Sequence, residues 1–366
     1  MFSIPRQFRC VRYLCVPALI EPIRLPLIAC LLVAMTTHEA SSSFAAAPLF
    51  AAPQPTTSGD EIFLASTREV GTAISGQRLN QGLRCKRFVG DRSGQTAWQD
   101  TDWRELAARS RVNRRTVIYV HGNRVAPGRD VADGLAVYRS LKLLGKSPAP
   151  VRFIIWSWPS TPIPGRVKDF RVKATLTDPV AWQFAWFLNQ FPAEAQLSLV
   201  GYSYGARVVS GAMHLLGGGR IGMLKLNDSA QQKHATVRAA LIAAAFDETW
   251  IEGGNYYGRT IWQTERLIVS TNKQDPVMRF YHLSNGRGRV HALGRAGIER
   301  LSSLGAAARR IKHVDFTDNV GRSHTLEDYL AATSKMSTVW HQLLSQDAGQ
   351  PVGRVASLIK MLPWVK

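Results

Sequence analysis

Cysteine is scarce in this 366-residue chain: there are four, and Cys10, Cys15 and Cys30 fall within the first thirty residues. Cys85 alone lies beyond them and cannot close an intramolecular disulfide, which excludes a disulfide-stapled scaffold. It reads as a small buried hydrophobe. Long apolar runs are missing too. No stretch of roughly 18 or more uninterrupted apolar residues occurs, which excludes a polytopic helical membrane protein. There is no HExxH, no CxxC pair and no glycine-rich phosphate loop, so neither metal nor cofactor is expected. Gly217-Gly218-Gly219 follows a helical pattern instead of opening one and reads as a helix stop. Acidic residues are few, 26 against 46 Lys and Arg, for a net charge of +20.

A hydrophobic content of 45% excludes a mostly disordered chain and is enough for a buried core. The excess charge favours anionic surfaces such as membrane headgroups or acidic polysaccharide. The basic residues are scattered, however, without aromatic interleaving or a nucleic-acid-binding motif, so no specific nucleic acid is expected.

The first fifty residues stand apart. Arg6, Arg9, Arg12 and Arg24 precede the apolar run Leu25–Met35, followed by a polar stretch and Ala45-Ala46-Ala47. This is the pattern of a secretory signal, and the run is too short to span a bilayer. Residues 1–47 are therefore expected to direct export to the periplasm, cell envelope or medium, with an uncleaved or lipid anchor as the alternative. They hold four Arg and two Glu, so +18 of the charge lies beyond them. Residues 48–60 read as a linker, 61–345 as the folded domain and 346–366 as a tail.

Within the domain, β-branched runs alternate with helical stretches. Expected strands are Ile62–Ser66, Thr116–His121, Val151–Ser157, Gln196–Gly201, Ala235–Ala245, Arg266–Ser270 and Ile311–Phe316. Expected helices are Asp130–Leu144, Pro179–Gln190, Tyr204–Leu216 and Leu326–Ser345. Continuously apolar strands separated by helices predict an α/β fold with a mostly parallel sheet buried on both faces. In such sheets ligands sit beyond the carboxyl ends of the strands.

Reactive residues cluster there. Gly201-Tyr202-Ser203-Tyr204-Gly205 stands between a strand and a helix, the G-x-S-x-G arrangement that lifts a serine hydroxyl on a sharp turn. A serine needs a base to take its proton and donors for the developing oxyanion. His324 follows the last strand through a polar loop and is the expected base. His282, His291, His313 and His341 are less well placed. The acid that orients the base is expected at Asp275, with Asp247 as the alternative; both follow strand ends and precede His324 in the chain. His121-Gly122-Asn123, after Thr116–Val120, resembles an esterase oxyanion loop, so the backbone N–H groups of Asn123 and Tyr204 are expected donors. His121 itself reads as a structural residue.

Four segments together, Tyr119-Val120-His121-Gly122-Asn123, Trp156-Ser157-Trp158-Pro159-Ser160, Gly201-Tyr202-Ser203-Tyr204-Gly205 and Gly321-Arg322-Ser323-His324, resemble bacterial esterase/lipase-like α/β-hydrolases of a domain-of-unknown-function type. The resemblance covers residues 111–345 and implies a Ser/Asp/His hydrolase without naming a substrate. It departs at the acid, which comes several residues after its strand. No large cap domain is expected, and Glu248–Thr260 reads as a short lid. Trp158, Trp250 and Tyr256 are candidate walls of an acyl pocket. The expected reaction is cleavage of a small-molecule or lipid acyl ester. The alternatives are acyl transfer with the same residues, or a non-catalytic envelope-binding protein on a hydrolase scaffold.

Overall fold

The structure is a computed structural model that describes residues 59–90, 96–108, 114–146, 149–226, 234, 236–282 and 290–345. The expected signal segment, nearly all of the linker, and the tail lie outside the described residues.

The sheet is built from β1 (Glu61–Ser66), β2 (Arg84–Gly90), β3 (Thr96–Thr101), β4 (Arg115–Val120), β5 (Val151–Ser157), β6 (Gln196–Tyr202), β7 (Thr236–Ile242), β8 (Arg266–Thr271) and β9 (Ile311–Asp315). Their order is β3-β2-β1-β5-β4-β6-β7-β8-β9. The β1–β2 and β2–β3 pairs are antiparallel and every other pair is parallel. The main helices are α1 (Arg129–Leu144), α2 (Arg166–Leu188), α3 (Tyr204–Leu216), α4 (Pro276–Arg279), α5 (Leu326–Ala331) and α6 (Thr333–Leu344). This is a mostly parallel central sheet covered by helices on both faces, the architecture of the α/β-hydrolase fold.

The period-2 geometry of β4 divides its side chains between two cores. Ile118 and Val120 pack with Phe184 and Phe187 of α2 and Val208 and Ala212 of α3. Val117 and Tyr119 pack with Val137 and Leu141 of α1 and Trp340 and Leu343 of α6. With both faces covered, β5 is buried along its whole length. Cys85, on β2, is buried as well, and burial pushes its thiol up to about 12, which keeps it protonated and unreactive at neutral pH.

Three of the differences from the sequence expectation are the most informative. The β2–β3 hairpin was not foreseen. The last helical region is two helices, because Ala332 between α5 and α6 leaves helical geometry with φ −73° and ψ 63°. The third difference bears on function. The sequence pattern predicts a helix over Pro179–Gln190, beginning at the proline. Instead α2 begins at Arg166, thirteen residues earlier, and carries Pro179 in its interior. Pro179 has no N–H to offer the preceding turn, but the helix is held by packing against α3.

The register fixes where chemistry can occur. Strand β4 lies between β5 and β6, with Val120 opposite Gly201. Segments that leave β4 and β6 therefore emerge side by side at the carboxyl edge of the sheet.

Candidate active site

At the end of β6 the chain reverses sharply into α3. Ser203 caps the helix with φ 53° and ψ −117°, a conformation few non-glycine residues adopt. The turn is possible because its neighbours lack side chains. A Cβ on Gly201 would lie 2.5 Å from the Ala206 Cα, and one on Gly205 only 2.0 Å from the Val120 carbonyl oxygen.

Ser203, His324 and Asp275 form one hydrogen-bonded chain. The Ser203 Oγ lies 3.1 Å from His324 Nε2, and His324 Nδ1 lies 2.7 Å from Asp275 Oδ2. Asp275 has no exposed surface. Its second oxygen, Oδ1, caps α4 by accepting the N–H groups of Val277 (2.9 Å) and Met278 (3.1 Å). One oxygen thus locks the carboxylate in place while the other faces the imidazole. With Nδ1–H donating to Asp275, His324 Nε2 is left as a proton acceptor toward Ser203.

Asp247 lies elsewhere. It is buried and pairs in an isolated bridge with Ala292. Of the remaining histidines, His313 accepts the Ile298 N–H through Nε2 (3.2 Å), and His291 and His341 are exposed.

Three residues that hold the chain were not singled out from sequence. Tyr202 stacks on the His324 ring, with centroids 5.6 Å apart, and its hydroxyl donates to the His324 carbonyl. Burial raises the Tyr202 pKa well above the usual value, so that donor is always protonated. Asn272 is fully buried just after β8. Its Nδ2 donates to the Gly321 carbonyl (2.8 Å), and its Oδ1 accepts the Gln274 N–H (3.0 Å). It therefore ties the loop that carries Asp275 to the loop that carries His324. Tyr329 places its hydroxyl 3.5 Å from Asp275 Oδ2. Only the position of Tyr202 inside G-x-S-x-G hinted at such a role; the other two depend on tertiary contacts.

The loop after β4 runs alongside. A Cβ on Gly122 would lie 3.2 Å from the Ser203 Cβ. Among the described residues the Asn123 N–H donates to no protein acceptor. Tyr204 heads α3, where the helix macrodipole favours negative charge. Two expected oxyanion donors thus flank the serine.

His121 is buried beneath this loop. Its Nδ1–H donates to the Gly122 carbonyl (2.9 Å), its Nε2 accepts the Trp158 N–H (3.2 Å), and its ring stacks on Trp158. Trp158 has no exposed surface, and its indole N–H donates to the His121 carbonyl at 2.8 Å. It therefore braces the loop and does not line a cleft. Trp250 packs edge-on against Tyr257, Tyr256 is tilted against both rings, and the Tyr256 hydroxyl donates to Asp178 (2.8 Å). The expected lid segment is thereby pinned to α2.

The buried histidines give a pH prediction. Burial depresses His121 below the ordinary histidine range and His214 to about 4. The unfolded chain protonates first as pH falls below ~6.5, so their contribution, full at neutral pH, is lost as pH drops toward 4. Each proton taken up on unfolding costs about 1.4 kcal/mol per pH unit. Asp133 works in the opposite sense, because burial lifts its carboxyl to about 7 and the folded chain then holds the extra proton. Urea unfolding at pH 6.5, 5.5 and 4.5 should show falling stability, and Asp133→Asn should steepen the slope. A flat profile would contradict the assignment.

No protein-family model matches the chain, and no curated protein matches it. Among solved structures it is similar to esterase B from Lactobacillus rhamnosis at 12% identity, over 87% of this chain and 96% of that one, with a TM-score of 0.37. It is also similar to an acetylxylan esterase at 16% identity, over 63% and 98%, with a TM-score of 0.34. A bacterial heroin esterase is 13% identical over 82% and 89%, with a TM-score of 0.34. These likenesses are distant and concern the fold alone.

Proposed function

We propose that the protein is a serine hydrolase that cleaves an acyl ester through an acyl-enzyme. The observation that carries this reading is the continuous chain Ser203 Oγ–His324 Nε2 (3.1 Å) and His324 Nδ1–Asp275 Oδ2 (2.7 Å) beside a loop with an undonated N–H. Ser203 attacks the ester carbonyl while His324 Nε2 takes the hydroxyl proton. Asp275 holds the imidazole in the required tautomer and stabilises the imidazolium that forms. The backbone N–H groups of Asn123 and Tyr204 bind the oxyanion. His324 then protonates the leaving alcohol, and water repeats the sequence in reverse to release the acid. Acyl transfer to another acceptor uses the same first half. Trp250 and Tyr256 are the pocket residues of this reading.

Export directed by the basic and apolar N-terminal segment belongs to the same proposal. So does adhesion of the basic chain to anionic membrane headgroups or polysaccharide. The test is hydrolysis of p-nitrophenyl esters from acetate to octanoate, together with fluorophosphonate labelling. Turnover and a modified Ser203 peptide are expected. A folded protein that does neither would favour the non-catalytic envelope-binding reading.

A further inference from the structure

We infer that Asp169 is a positioning residue that sets the oxyanion-binding loop, acting through Asn123 and Arg124 without touching substrate. The inference rests on the proposed hydrolase reading.

Asp169 lies in the first turn of α2, the part of the helix that precedes Pro179, and has no exposed surface. Its Oδ2 accepts from Asn123 Nδ2 (3.1 Å) and Arg124 Nη1 (3.0 Å), and its Oδ1 accepts the Ile163 N–H (3.1 Å). One carboxylate thus joins the loop after β4, the loop after β5 and α2.

Two further observations show that the loop needs this hold. Arg124 has φ 61°, in the left-handed region that a residue with a side chain occupies at a cost. The Asn123 Oδ1 is buried with no hydrogen-bond partner among the described residues. The bond to Asp169 is therefore what orients that amide, and with it the loop whose Gly122 lies against Ser203. The far side of the loop is held separately, because the Val125 carbonyl accepts from Arg68 Nη2 (2.8 Å) and Ser160 Oγ (3.1 Å).

Positive charge gathers at the same place. Arg124 at 3.0 Å and Lys173 at 3.9 Å face the buried carboxylate, so the cluster carries one net positive charge near the expected oxyanion. A donor fixed before reaction costs no reorganisation in the transition state. A loosened clamp should therefore weaken binding of the transition state and leave binding of the neutral ester unchanged.

The experiment measures kcat, KM and the rate of fluorophosphonate inactivation for the full chain and for Asp169→Asn. The substitution places an NH₂ against one set of donors. The expected result is a kcat lower by about 10–100-fold, less than complete loss of a donor, with KM within twofold and inactivation slowed by a similar factor. Asn123→Ala serves where Asp169→Asn does not fold. It keeps the backbone N–H and removes only the tether, so a fall in kcat at constant KM reports positioning. A folded Asp169→Asn, or Asn123→Ala, with kcat within twofold of the unaltered chain overturns the inference alone. An unaltered chain inert to ester and to fluorophosphonate overturns the proposed function and this inference with it.

Discussion

Ser203→Ala is expected to abolish fluorophosphonate labelling and to lower kcat for ester hydrolysis by about 10⁴–10⁶-fold, the scale seen when a nucleophile is removed from a Ser–His–Asp site. Burial and packing are not the cause, because alanine keeps the Cβ and all that is lost is the oxygen 3.1 Å from His324 Nε2. The turn makes a second comparison possible. At φ 53° and ψ −117° any side chain is strained, whereas glycine is not. Ser203→Gly should therefore be as inactive as Ser203→Ala yet more stable by about 1 kcal/mol, after its larger unfolded-state entropy is deducted. In a domain of this size that difference is a rise of roughly 1–3 °C in Tm. If the alanine variant is labelled at another residue, or if both variants melt together, Ser203 is not the strained nucleophile described here.

The parallel strands were legible because strands buried on both faces read as unbroken apolar runs; Val117-Ile118-Tyr119-Val120 and Phe153-Ile154-Ile155-Trp156 each feed two cores. The edge hairpin was not, for the same reason. In Arg84–Gly90 the charged Arg84, Lys86 and Arg87 interrupt the pattern, and these strands exist through pairing more than through local preference. The first half of α2 was hidden by Pro179, whose local penalty is outweighed by packing on α3. That half carries Asp169, so the clamp on the β4 loop was hidden with it. Ser203, Asp275 and His324 were each noticed because they follow strand ends. Asp247 and Asp275 share that property and the same chain order, so the expectation of Asp275 rests only on its place after the penultimate strand. The distinction is made by Asn272 and the α4 cap, which are contacts between loops far apart in sequence.

That distinction yields the second large effect. Asp275→Asn should lower kcat by about 10²–10⁴-fold with KM nearly unchanged, whereas Asp247→Asn should leave kcat within about threefold. The variant amide can keep its oxygen on the Val277 and Met278 N–H groups, because the cap needs only an acceptor. Its NH₂ then faces His324 Nδ1 at the position where Oδ2 stands at 2.7 Å. Two donors cannot share that contact, so Nδ1 must give up its proton and become the acceptor. The proton moves to Nε2, which can then no longer receive one from Ser203. The loss is one of tautomer and of charge opposite the imidazolium, with the fold retained. Circular dichroism and Tm of Asp275→Asn should therefore stay close to those of the unaltered chain while turnover collapses. Equal activity in the two asparagine variants would refute the role of Asp275, and collapse confined to Asp247→Asn would transfer that role to the other strand end.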